Sequence, residues 1–372
     1  RSQLVDPVAE IMVMKELPRP RPTFLLKRGA YDAPGEPVSS DTPASLLPFS
    51  KEWPRNRLGL ARWLTDPQHS LTSRVAVNRW WQTLFGRGIV ATPEDFGSQG
   101  QLPSHPELLD WLARDFIDNG WDIKRFWRTV VTSSTYRQAS EGTPELLARD
   151  PDNILLARGP RFRLDAETIR DQALYSSGLL VEEMGGPSVK PPQPSGLWEA
   201  VAYSGSNTKD FKADEGVDKV HRRSLYTFWK RTAPPPQMTT LDAPSRESCR
   251  VRRERTNTPL QALLLLNETQ FIEASRALAE RARREADGAT DARLARMFRL
   301  AVGRAPDAEE LSELAAALKD LTAHYAARPE EAKALIESGA SKPDPAADPC
   351  DLAPWTMIGN IILNLDEVVT RG

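Results

Sequence analysis

Apolar positions fall into helical register most clearly between Arg74 and Gln138, where three consecutive segments each have their own start and stop signals. The first carries Val75, Val77, Trp80, Trp81, Leu84 and Phe85. It halts at Gly86, a residue able to take the left-handed conformation of a C-terminal cap. In the second, Ser104 and Glu107 stand at capping-box spacing ahead of Leu108, Leu109, Leu112, Phe116 and Ile117, and Asn119-Gly120 closes the run. Asp122 is the expected N-cap of the third, which buries Ile123, Phe126, Trp127, Val130 and Val131. Three helices on short turns predict a local core.

The flanking text is read in the same way. Residues 1–54 are Pro-rich and irregular, an arm with Thr23–Leu26 as a short strand, and a helix follows from about Asn56 to Asp66-Pro67. Asp165 is expected to cap a helix containing Ile169, Ala173 and Leu174. Residues 181–220 then hold so many turn signals that they exceed an ordinary connector. Leu225–Trp229, rich in Leu, Tyr, Thr, Phe and Trp, is the best strand candidate. Thr258, Pro259 and Gln261 predict a strong helix start, with one helix running to about Arg284 as the longest in the chain. Further helices are expected over 291–302, 307–325, 330–336 and 353–369. The fold class is therefore mainly α: a multi-helix, bundle-like domain with long ordered Pro/Gly-rich loops and at most a small β element. Three regions are expected: an arm or junction over 1–54, a helical core with an Arg-rich segment over 55–290, and a C-terminal bundle packing on it over 291–372.

Composition narrows the function classes. The 372 residues are 40% hydrophobic with a formal net charge of -2, so no global field draws the chain to nucleic acid or lipid. No apolar run reaches the ~18 residues of a membrane span. The chain does not begin with Met and reads as a piece of something longer or processed. Cys249 and Cys350 form no metal or haem motif; they are expected either to pair or to stay free. No P-loop, GxGxxG, G-x-S-x-G or HExxH pattern occurs, and the four histidines have no companions at metal-ligand spacing, so no metal site and no cofactor is expected in this chain.

Three clusters could carry chemistry. His105 in the first turn of its helix would either be a hydrogen-bonded structural residue or sit beside unpaired amides that favour a neutral, proton-passing ring, with Asp95 and Asp110 as carboxylate partners. Glu167 and Asp171, four apart on one helix face, would repel unless cations lie between them. Such a pair could serve as general acid and base, or form a structural lattice with neighbouring arginines. Charge is uneven, too: from Lys219 to Arg255 there are ten Lys or Arg against three Asp or Glu. Arg222, Arg223, Arg231, Arg253 and Arg255, with Tyr226 and Trp229 interleaved, would suit an anionic ligand or a stacked sugar, or would pair with the carboxylates of other segments in a chain that is nearly neutral.

The segments NRLGLARWL (56–64), RVAVNRWWQTLFGRGIVATPEDFG (74–97), PSHPELLDWLA (103–113), SSTYRQAS (133–140), RFRLDAETIRD (161–171), RRSLYTFWKRT (222–232) and RRERTNTPLQALLLLN (252–267) together resemble the planctomycete-specific C-terminal domain of unknown function. The resemblance implies an extracytoplasmic home and a parent polypeptide whose upstream domains include a cytochrome-c-like one carrying haem c. It brings no catalytic residues with it, and a carbohydrate-related role is implied only by analogy. The leading expectation is a binding or scaffolding module that holds an anionic or polysaccharide ligand or a partner domain, with no nucleic acid and no membrane span. The alternative is an extracytoplasmic enzyme acting on glycans through the His and carboxylate groups above. A third expectation is an electron-transfer partner that docks a cytochrome.

Overall fold

The computed structural model describes residues 11–203, 205, 208–286 and 288–372. Among them fifteen α-helices and two small two-stranded sheets make the protein mainly α. Its contacts gather into two units: residues up to 83 with 87–131, and 84–86 with 132–372.

The first unit opens with a hairpin, β1 (Thr23–Leu26) against β2 (Pro34–Val38), antiparallel with an irregular register between Phe24 and Leu26. Helix α1 (Arg57–Leu64) starts at Asn56, whose side chain accepts from the amides of Leu58 and Gly59, as a short polar N-cap should. Helix α2 (Thr72–Phe85) follows, and Gly86 after it stands at φ 76°, the left-handed backbone expected of its cap. Helices α3 (Pro106–Asp118) and α4 (Ile123–Val131) complete the unit. Trp80 meets Phe116 edge-on at 4.9 Å and Phe126 at 5.2 Å, so aromatic faces from three helices close one core. Asn78, fully buried, exchanges two hydrogen bonds with the backbone of Val90 and so ties the loop after α2 to that helix.

The second unit contains α5 (Pro144–Arg149), β3 (Phe162–Arg163), α6 (Ala166–Ser177), the short α7 (Val217–Val220) and α8 (Pro236–Thr240), then α9 (Pro259–Asn267), α10 (Thr269–Glu285), α11 (Thr290–Val302), α12 (Ala308–Ala326), α13 (Pro329–Ile336), α14 (Pro349–Leu363), α15 (Asp366–Val369) and β4 (Thr370–Arg371), which pairs with β3. Its core is built around α10 and α14, with α6, α11, α12 and α13 packed about them. Gly359 of α14 lets the helices approach so closely that an added Cβ would stand 2.6 Å from the carbonyl oxygen of Ser275 on α10.

Several expected elements take another form. The expected long helix after Thr258 is two, broken at Glu268, whose extended backbone ends α9 and whose carboxylate caps α10 through the amides of Gln270 and Phe271. The longest helix among the described residues is α12, 19 residues with an Asp307/Glu310 capping box. Residues 225–229 are not a strand: Ser224–Tyr226 form a 3-10 turn, and Thr227 makes only an isolated bridge to Val189. Helix α14 begins at Pro349, four residues before the expected start, with Asp348 as its cap. Cys249 and Cys350 are both free thiols. No described helix is long and apolar enough to cross a membrane.

Candidate functional site

The Arg-rich segment folds back on the first turns of α6. Arg253 donates from Nη1 to Glu167 Oε2 at 2.6 Å and from Nη2 to Oε1 at 3.3 Å, a two-pronged pair, and Arg246 Nη2 reaches the same Oε1 at 3.3 Å. Burial alone would raise the Glu167 carboxyl. The hydrogen bonds from Arg253, with the charges of Arg253 and Arg246, outweigh that effect and leave it below the ordinary carboxylate range. Asp165 lies 3.7 Å from Arg253 and 3.8 Å from Arg255. The flat guanidinium groups also cover aromatic faces: Arg246 over Trp229 at 4.7 Å and Arg255 over Phe162 at 4.2 Å. Trp229 turns its Nε1 to the carbonyl of Ser245.

Deeper in, Arg170 is buried and ties the segment that crosses it to α10. It donates to Val220 O at 2.6 Å, Arg222 O at 3.0 Å, Ser224 Oγ at 3.1 Å and Gln270 Oε1 at 2.8 Å. Asp171, beside it, accepts from Ser224 N at 2.8 Å and Ser224 Oγ at 2.6 Å, so it caps the 3-10 turn. Glu167 and Asp171 therefore serve different partners one helical turn apart. Arg222, buried as well, donates to the carbonyls of Pro187, Glu183 and Gly185 while stacking on Tyr226 at 3.9 Å. Tyr226 OH accepts from Gly185 N. In this way the long connection over 181–189 is wound round one guanidinium.

A buried cluster on α10 went unread in the sequence. His221 Nε2 lies 3.0 Å from Glu273 Oε1, and the same oxygen accepts from Ser341 N at 2.6 Å. Burial opposes ionisation of Glu273, yet the hydrogen bonds from His221 and Ser341 hold its carboxyl down to about 2. Arg276, one turn on, donates to both Ser341 O and Ser341 Oγ at 2.8 Å and lies 3.4 Å from Glu280. The available signal was Glu273, Arg276 and Glu280 at helical spacing on an otherwise apolar face.

In the first unit, the residues of the His105 group each have other partners. His105 is the N-cap residue of α3 but caps no amide; its Nδ1 lies 3.0 Å from Ser104 Oγ. Ser104 Oγ itself donates to Ile89 O, which replaces the expected capping box. Asp110 accepts from Arg74 Nε at 2.7 Å, and that bond draws its carboxyl below the ordinary range. Asp95 accepts from Gly97 N at 2.6 Å and closes its own turn. Among the described residues, no hydrogen bond joins His105, Asp95 and Asp110.

Part of the Arg-rich segment stays outward: residues 245–250 and Arg252 are exposed. Arg223 is exposed, and Arg231 stands 3.8 Å from Glu247 with both side chains largely in solvent. Nearby, Lys190 and Lys230 flank the Trp198 ring at 5.7 and 4.8 Å, and the gap lined by Trp198, Phe211 and Phe228 is about 10 Å³, water-sized. No group of three His, Cys, Asp or Glu able to hold a metal occurs among the described residues. The arrangement can fasten loops and hold an interface.

Compared with known proteins, residues 56–318 match the family described as PSD1, protein of unknown function (DUF1553). No curated protein and no solved structure matches the chain.

Proposed function

We propose, for a chain that belongs to the PSD1 family of proteins of unknown function (DUF1553), that it is a scaffolding module holding a partner domain on an apolar helix face. One observation carries this reading over ligand capture: Arg222, Arg246, Arg253 and Arg255 are already engaged by carbonyls, carboxylates and aromatic rings of their own unit. Their work is to tie long loops to α6, which builds a rigid platform.

The surface that remains for a partner is apolar. On α9, Leu260, Leu263 and Leu266 recur every three residues and are 60%, 55% and 36% exposed. A row of exposed leucines on one helix marks a contact surface for protein. The partner in this reading is another domain of the same parent polypeptide, in an extracytoplasmic setting and with a haem-bearing neighbour, as the resemblance implies; haem would be attached there, since this chain holds no CxxCH.

The test is to produce this chain and the remainder of its parent polypeptide as separate pieces and follow their association by sedimentation. A complex is expected that is insensitive to salt and lost on Leu263→Glu with the far-ultraviolet circular dichroism unchanged. No association, or association that Leu263→Glu leaves intact, overturns the reading.

A further inference from the structure

In the first unit a cavity of about 400 Å³ opens between the extended arm ahead of β1 and the start of α1. That volume lies in the range of small-molecule sites. Its walls hold four cations, Lys15, Arg21, Arg55 and Arg57, against two carboxylates, Glu16 and Asp41, a formal excess of two positive charges. Phe49, Leu17 and Leu60 supply apolar surface.

The chain's own side chains display what this lining recognises. Glu16 places a carboxylate oxygen 2.7 Å from Arg57 Nη1 and 3.3 Å from the backbone amide of Arg57. The bond from Arg57 holds the Glu16 carboxyl below its ordinary range. Arg55 is shared between Asp41 Oδ2 and Ser40 O, both at 2.8 Å, and lies over the Phe49 ring at 5.4 Å. Lys15 and Arg21 are the unspent cations of the cavity: neither makes an ion pair with a described residue.

We infer that this cavity is a binding site for a small organic dicarboxylate with an apolar middle, held by Arg21 and Lys15 with Leu17, Phe49 and Leu60 against its carbon frame. The planar fork of Arg21 matches a carboxylate, the mobile ammonium of Lys15 takes the second, and two negative charges balance the excess of the lining. Glu16, an exposed side chain on the arm, already occupies Arg57 and leaves Arg21 and Lys15 to the ligand, but adds a negative charge to the lining. The site is separate from the α9 leucines, so it stands or falls independently of the scaffolding reading.

Calorimetric titration of the full chain with phthalate, benzoate and acetate tests this. Phthalate is expected to bind one to one, at least ~10-fold tighter than benzoate, because each lost charge-assisted contact is worth roughly that factor. The double variant Lys15→Gln/Arg21→Gln should lose ~10-fold or more, while Glu16→Gln should gain several-fold by removing a negative charge from the lining, each with the circular dichroism of the parent. Leu263→Glu should bind phthalate as the parent does. No measurable heat with any of the three acids, equal affinity for phthalate and benzoate, or an unchanged affinity in the double variant overturns the assignment.

Discussion

At the residue scale the most consequential group is Glu273, because it is an anion in the interior whose partners come from two distant loops. His221 arrives from the end of α7 and Ser341 from the connection after α13, and both meet one carboxylate oxygen. Its carboxyl titrates at about 2 in the folded chain, against an ordinary value of ~4.5, so between those values the unfolded chain binds more protons. The contribution is fully present above about pH 5 and is lost as the pH falls toward 2. Each tenfold change in proton affinity is worth ~1.4 kcal/mol, which bounds the contribution at about 3 kcal/mol. Glu273→Gln is therefore expected to lower stability at pH 7 by about 1–3 kcal/mol, the range for a buried charge-assisted hydrogen bond. It should also flatten the acid limb, so that the two proteins converge near pH 2. Denaturant midpoints followed by circular dichroism between pH 2 and 7 check this; two parallel curves would mean that Glu273 is not the titrating group.

At the element scale the decisive contact is the seam of α10 and α14. Gly359 and Ser275 bring the helices together with no room for a methyl group, since the nearest atoms to an added Cβ are backbone and cannot rotate away. Gly359→Ala should gain a little helix propensity and lose more to overpacking, a net cost of about 1–3 kcal/mol, or a melting point lower by roughly 3–10 °C for a unit of this size. Gly288→Ala is the control: its added carbon would lie 3.9 Å from Arg293, and its melting point should stay with the parent.

The same seam shows what could be read in the sequence. Helix starts with a short polar cap were legible, as at Asn56, Thr258 and Asp307, because the cap is a local hydrogen bond that the residue types announce. The break at Glu268 was not, since a Glu seldom caps a helix and the Leu-rich run conceals the interruption. Nor was the early start of α14, where Pro354 lies inside a helix whose neighbours supply the packing. Leu225–Trp229 has strand-like composition, yet its conformation is set by Arg170, Asp171 and the loop over 181–189. Those contacts are too distant in sequence for local pattern to report.

At the scale of the whole molecule, the question is whether a local excess of cations makes an electrostatic surface. The sequence states the excess, ten against three between Lys219 and Arg255, but charge counted along a chain is not charge presented to solvent. Glu167 and Asp165 stand about 80 to 90 residues upstream of the arginines they meet, and pairing at that separation is invisible to spacing rules, which suggest a lattice without naming these partners. Arg246, Arg253 and Arg255 lie against those carboxylates and Arg222 is buried among carbonyls, so fewer cations face solvent unpaired than the count along the chain states, and salt screens those that do over ~8 Å. With a net charge of -2 the protein as a whole repels polyanions weakly. A labelled DNA duplex titrated at ~50 mM and ~200 mM salt should accordingly show no saturable binding at either. A protein that met six or more phosphates would lose about 10³-fold or more in affinity across that interval, and such a loss here would mean that the exposed arginines, Arg223 and Arg250 among them, act together on phosphate despite the pairing of their neighbours.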